Sequence, residues 1–154
     1  DYGYAKFMKR VSTILMGRKT YESVLGFDCE YPYKDLENVI FTQNPAYSAA
    51  HAKTEGVNLQ VICGNIVDEV KRLRLEGSPD TLIYANGGGE IFRELLHHNL
   101  IDEIILTIHP SIQGGGPHLF PGPIVPPKTL QLISHQAWPS GLIQLHYKLD
   151  HKLG

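Results

Sequence analysis

What the 154-residue chain lacks narrows its chemistry first. It has only two cysteines, Cys29 and Cys63, 34 residues apart and outside any CxxC or zinc-ligand spacing. They read as buried or semi-exposed thiols of a cytosolic protein, not as a metal site or a disulfide framework. No charge of one sign dominates: 14 Lys+Arg face 16 Asp+Glu, a formal charge of −2. A chain so balanced has no long-range attraction for nucleic acid or an anionic membrane. It also lacks the run of about eighteen apolar residues that a membrane helix needs. The opening, Asp1-Tyr2-Gly3, has no initiator methionine and no basic segment leading into an apolar one. No signal peptide is visible, and a cytoplasmic location is expected.

Catalytic signatures are missing as well. There is no GxSxG, and neither cysteine has a local motif that would activate it as a nucleophile. The eight histidines are scattered without HExxH or a cysteine partner. His97 and His98 are adjacent, so a helix turns them about 100° apart and they cannot act as i,i+4 ligands. No metal is expected. Asp102 and Glu103 open a strand, where alternation sends neighbouring side chains to opposite faces, so they are not an acid/base pair.

The residues that are present fit one domain spanning 1–154. At 17.2 kDa with 42% hydrophobic residues, area scaling gives roughly 7,800 Å² of folded surface against ~25,000 Å² for the extended chain. No repeat or linker interrupts the pattern. Tyr4 to Arg10 has helical spacing, and Val11 to Met16 is an apolar run of strand length closed by Gly17. Thr20 to Leu25 is helical again. Asn38 to Thr42 is a β-branched strand stopped by Asn44-Pro45, and Leu59 to Ile62 repeats it. Asp68 is the expected start of a helix carrying Val70, Leu73 and Leu75. Thr81 to Ala85 reads as a strand, Glu90 to Leu96 as a helix and Ile101 to His109 as a strand. Such a βαβ unit predicts a parallel pair. After the prolines at 121, 123, 126 and 127, Leu130–Trp138 and Leu142–Leu149 flank Pro139-Ser140-Gly141 as an antiparallel hairpin. The expected fold is α/β, a mixed, mostly parallel sheet ending in that hairpin, with helices on both faces.

Two strand-to-helix junctions carry the chemistry. At Gly87-Gly88-Gly89 the missing Cβ atoms allow a sharp turn and close approach of an anion, and the following helix points free N–H groups and its positive dipole end there. It is not the dinucleotide fingerprint, since Phe92 stands at the last glycine position; a tight turn needing small residues is the alternative. At Met16-Gly17-Arg18-Lys19-Thr20, Gly17 permits close approach, Thr20 can cap, and two cations can meet phosphate oxygens. The alternative there is a capped helix with two solvated basic side chains.

These residues resemble a family. Leu15-Met16-Gly17-Arg18-Lys19-Thr20-Tyr21-Glu22 and Tyr84-Ala85-Asn86-Gly87-Gly88-Gly89-Glu90 are similar to segments of dihydrofolate reductases. Leu100 to Ile104, His109-Pro110 and Gly114-Gly115-Gly116-Pro117-His118-Leu119-Phe120 resemble the reductase domain of bacterial riboflavin biosynthesis proteins. The order agrees from Tyr4 to Asp150. The resemblance implies a dihydrofolate-reductase-like three-layer fold and NADPH bound along the C-terminal strand ends. Gly17, Arg18, Lys19 and Thr20 would then hold the adenosine-side phosphates, and Phe41, Thr42 and Gln43 would line the adenine and 2′-phosphate site. Gly64 would lie near the adenine, Gly87, Gly88, Gly89, Glu90 and Ile91 would cradle the pyrophosphate, and Thr107 would face the substrate.

Two departures matter. Gly3 stands where dihydrofolate reductases place a carboxylate, which argues against folate. The family's first strand and substrate loop also have no counterpart here, and the natural protein is expected to carry that strand ahead of Asp1. The expected activity is NADPH-dependent hydride transfer to a small heterocyclic or sugar-phosphate-bearing substrate, of the 5-amino-6-(5-phosphoribosylamino)uracil reductase kind, by a homodimer. Catalysis would be mostly positioning, with no protein nucleophile. A dinucleotide-binding module without catalysis, and a plain α/β domain whose glycines serve only turns, are the alternatives.

Overall fold

A computed structural model of the chain describes residues 1–151. The elements run α1 (Tyr4–Met8), β1 (Val11–Gly17), α2 (Arg18–Leu25), β2 (Glu37–Thr42), β3 (Leu59–Cys63), α3 (Ile66–Glu76), β4 (Leu82–Gly87), α4 (Gly89–His97), β5 (Glu103–Ile108), β6 (Leu130–Ala137) and β7 (Ile143–Leu149). The fold is mixed α/β: a parallel four-stranded sheet ordered β3-β2-β1-β4 and an antiparallel three-stranded sheet ordered β5-β7-β6. Two compact units divide at Ile91/Phe92, within α4.

In the first unit β1 is central and therefore apolar on both faces. Ile14, Leu15 and Met16 are at most 1% exposed, as are Val39 and Ile40 of β2 beside them. Tyr21 and Val24 of α2 close one face over Ile14, Met16 and Ile40, joined by Tyr31, Tyr33 and Ala49. The chain moves outward from β1 to β3, then returns across the sheet to β4. Right-handed crossovers make that reversal place α3 on the face opposite α2. Val67, Val70 and Leu73 are the buried side of α3.

Among the described residues the most deeply buried polar side chain is that of Asn38. It has no exposed surface, yet both its amide oxygen and its amide nitrogen are hydrogen-bonded. Its Oδ1 accepts from the Tyr31 hydroxyl at 2.7 Å, and its Nδ2 donates to the carbonyls of Tyr33 at 2.9 Å and Leu36 at 2.8 Å. Tyr31 in turn packs edge-on against Tyr33 and Tyr21. Burial, and secondarily Tyr21, pushes the Tyr31 phenol well above its ordinary range.

In the second unit β7 lies between its neighbours, pairing Leu106 with Leu145 and Leu132 with Tyr147. The hairpin closes as expected: Trp138 N donates to Leu142 O, Gly141 N to Trp138 O, and Gly141 takes φ +85°. Every residue of β6 is exposed.

Four expectations need correction. β4 and β5 do not form a parallel pair: β4 bonds to β1 and β5 to β7, in separate sheets. A strand–helix–strand pattern fixes the spacing of two strands but not which strand lies beside either. α3 begins at Ile66 and not at Asp68, because Asn65 caps it, its Oδ1 accepting from Val67 N and Asp68 N. Leu75 lies on α3 as expected, though it faces solvent at 87% exposure, and Val67, one residue before the expected start, takes a place on the buried stripe. Both cysteines are exposed, Cys29 in the loop after α2 and Cys63 at the end of an edge strand. The surface is also larger than area scaling gave, 10261 Å²; the exposed β6 is one visible reason.

Asn38→Leu is expected to lower stability by at least about 2 kcal/mol in urea unfolding. It strands the Tyr31 hydroxyl and two carbonyls away from water, at about 1–3 kcal/mol per unsatisfied group. An unchanged midpoint would show that the network is not what holds β2.

Candidate functional site

All four parallel strands of the first unit end on one side, and the pairing register shows how closely. Gly17 pairs with Phe41, Thr42 with Cys63, and Met16 with Gly87. The expected residues Gly17, Phe41, Thr42, Gly64 and Gly87 therefore stand along a single rim. The direction reversal lies between β1 and β4, the place where open parallel sheets leave a crevice for ligands.

At that point the two glycine junctions meet. A Cβ added to Gly17 would sit 3.7 Å from the Gly88 nitrogen and 3.3 Å from the Ile91 δ-methyl, and one added to Gly88 would lie 3.7 Å from Thr20 Oγ1. Gly17, Gly87, Gly88 and Gly89 present backbone alone, so a side chain at 17 would occupy the space between the bends. Gly17 has φ −73° and ψ 159°, a conformation open to any residue. Its smallness thus serves space and not backbone strain. Gly64, with φ +126°, has nothing within 4 Å of its added Cβ, so the rim is open there too.

The helix starts differ in charge. α3 satisfies its own first turn through Asn65 and carries Asp68 and Glu69 there. α2 has no side-chain cap and no acidic residue in its first turn. Arg18 and Lys19 instead stand at its positive dipole end, an arrangement that disfavours the bare helix and is relieved by an anion. Lys19 is exposed and Arg18 half-buried, with the Arg18 guanidinium 5.7 Å from the ring centroid of Tyr47. Bare amides, uncapped helix and two cations fit a phosphate-bearing ligand such as NADPH.

The remaining expected residues are placed as follows. Phe41 and Thr42 are each 8% exposed, so mainly their backbone reaches the rim; Thr42 Oγ1 accepts from Asn44 N at 3.1 Å. Gln43 is exposed, as is Glu90 in the first turn of α4, while Ile91 is buried. Thr107 belongs to the second unit, on β5, where its hydroxyl accepts from Gln144 Nε2 at 3.3 Å. Among the described residues no three His, Cys, Asp or Glu side chains come together, and no helix is long and apolar enough to cross a membrane. Sequence reasoning missed Tyr47 and Asn65. Asn65 was findable, since Asn-x-x-Asp is a capping pattern; Tyr47 has no such signal.

The profile of the RibD C-terminal domain matches residues 4–144. The chain belongs to the RibD C-terminal domain family. The uncharacterized protein YwjB of Bacillus subtilis (strain 168) is 31% identical over 124 residues, which is 78% of this chain and 64% of YwjB. The chain thus spans under two-thirds of that relative. A candidate riboflavin biosynthesis protein of Shewanella sp. PV-4 has a similar structure, with TM-score 0.83 and 28% identity over 98% of this chain and 81% of that one. A pyrimidine reductase-like protein of Corynebacterium diphtheriae shares the fold at TM-score 0.61 and 15% identity, over 92% and 77% of the two chains. The mixed α/β fold described above is accordingly dihydrofolate-reductase-like.

Gly17→Ala is expected to stay within about 1 kcal/mol of the parent in urea unfolding, since its one tight neighbour is a flexible methyl. A loss beyond about 3 kcal/mol would mean that the small residue serves packing, as the turn-only reading requires.

Proposed function

We propose that the protein is an NADPH-dependent reductase acting on a small heterocyclic or sugar-phosphate-bearing carbonyl or imine, of the 5-amino-6-(5-phosphoribosylamino)uracil reductase kind. The observation that carries this reading is the meeting of the Gly17 and Gly88 bends beside the uncapped, cationic start of α2. Family membership and the likeness to the Shewanella protein support a reductase-like role.

In this reading Gly88 and Gly89 present amides to the pyrophosphate, and Gly17, at the adenosine-side phosphates, has no Cβ to hold them off. Gly87 and Ile91 shape the turn from below. Arg18, Lys19 and Thr20 take the adenosine-side phosphates, while Phe41, Thr42, Gln43 and Gly64 form the rim beside the adenine. The bound dihydronicotinamide would supply the hydride. What this chain contributes is orientation: holding donor and acceptor within about 3–3.5 Å of each other converts an encounter into a near-attack pair. Thr107 is assigned to the acceptor. Glu90 is the one acidic residue among the assigned positions, and its exposure lets it turn to solvent.

Fluorescence titration with NADPH is expected to give saturable binding. Gly17→Ala should weaken that binding at least tenfold, about 1.4 kcal/mol, while the fold persists. No saturable signal in the parent protein would refute the cofactor assignment. Absorbance at 340 nm with a panel of pyrimidine and pterin acceptors then separates an enzyme from a binding module. NADPH consumption by a ribosylaminopyrimidine is the expected result, and binding without turnover on any acceptor would favour the module.

A further inference from the structure

Arg18 is four residues before Glu22 on α2, the spacing at which an arginine and a glutamate ordinarily pair across a helical turn. Among the described residues Arg18 makes no ion pair. Its guanidinium lies instead over the Tyr47 ring, 5.7 Å from the centroid, within the range of a cation–π contact. Tyr47 comes from another part of the chain, the turn that leaves β2, and that turn is pinned by its own hydrogen bonds. Asn44 N donates to Thr42 Oγ1 at 3.1 Å, Ala46 N to Asn44 Oδ1 at 3.0 Å, and Tyr47 N to Asn44 O at 3.1 Å. The ring is half-buried. Glu22 is close enough to act on the phenol, which burial first, and then Glu22 and Tyr21, push upward against the opposing pull of Arg18.

The contact has a chemical consequence. A guanidinium held over a ring still has N–H groups to offer, and those are what meet phosphate oxygens. A side chain already held in one orientation loses less rotamer freedom when it binds. Glu22, which could neutralise Arg18, acts instead on the Tyr47 phenol.

We propose that Tyr47 is a positioning residue: its ring holds Arg18 toward the adenosine 2′-phosphate and so raises the preference for the 2′-phosphorylated dinucleotide over the counterpart that lacks that phosphate. This rests on the NADPH reading above. It ties the end of β2, through the Thr42–Tyr47 turn, to the first turn of α2, so that two expected parts of the site share one anion position.

The test is a fluorescence titration of the parent, Tyr47→Phe and Tyr47→Leu with NADPH and with NADH, alongside thermal melts. Tyr47→Leu is expected to weaken NADPH binding about three- to tenfold, the loss of one pre-set side chain. NADH binding should stay unchanged, so the NADPH/NADH ratio falls by the same factor. Tyr47→Phe, which keeps the ring, should retain the parent ratio. An unchanged ratio in Tyr47→Leu would overturn the proposal, and so would an equal fall in Tyr47→Phe, which would place the effect in the hydroxyl. If Tyr47→Leu fails to fold, Arg18→Lys decides: it keeps the charge and loses the planar fork, and an undiminished ratio there overturns the proposal. Failure of the parent to bind either dinucleotide removes the cofactor reading itself. A parent that prefers NADPH beside a Tyr47→Leu protein with the same preference removes only the role of Tyr47.

Discussion

The site depends on one constraint, the reversal of chain direction at β1. Because the chain moves outward from β1 to β3 and then returns to the other side of β1 for β4, right-handed crossovers place α2 and α3 on opposite faces. The C-terminal ends of β1 and β4 thus have no connection running over them. Both strands are followed at once by a helix, so two N-termini open at the same point. For the space between the two bends to stay open to a ligand, each bend must shed its side chain. Gly17 and Gly88 meet that requirement, and the distances from their added Cβ atoms show how little room a side chain would leave.

The electrostatics follow from how each helix treats its orphan N–H groups. α3 uses Asn65 as its cap and fills its first turn with Asp68 and Glu69, so nothing remains to attract an anion. α2 does the reverse, leaving the cap position to a glycine and placing Arg18 and Lys19 where the dipole is already positive. Such a choice costs a few tenths of a kcal/mol per charge in the bare protein. It is offset only when a negative group arrives. The fold alone does not require this arrangement at α2, since α3 shows the self-satisfying alternative in the same sheet.

Much of this was legible in the sequence, and the exceptions share a cause. β1, β2 and β3 are β-branched or apolar runs bounded by glycine, Asn44-Pro45 or charged residues, and their ends were read to within one or two residues. The glycine junctions were legible because bareness is itself a sequence feature. Their meeting was not, because Gly17 and Gly88 are brought together by strand order, which local pattern does not encode. The same blindness produced the expectation that β4 and β5 pair. Asn65 was passed over for Asp68 because the acid in the first turn resembled a cap. Tyr47 could not be found at all: its partner Arg18 belongs to a different strand-to-helix junction, and nothing in Asn44-Pro45-Ala46-Tyr47 announces which surface the ring will meet.

A buried polar network sets the frame for that contact. Asn38 sits between Ile14 of β1 and Leu59 of β3 in the pairing register, and its amide is held by Tyr31, Tyr33 and Leu36. A slip of β2 by one residue would turn Asn38 to the other face, leave the Tyr31 hydroxyl and two carbonyls unmatched, and exchange Ile40 with a neighbour of opposite direction. It would also shift Thr42 relative to Cys63 and carry the turn that presents Tyr47 away from α2. A hydrophobic run alone specifies the register of a strand buried on both faces only weakly, since either face accepts it. The asparagine breaks that degeneracy. The geometry at the rim is thus fixed from the start of the strand, three residues before Phe41, the partner of Gly17, by a residue outside the proposed site.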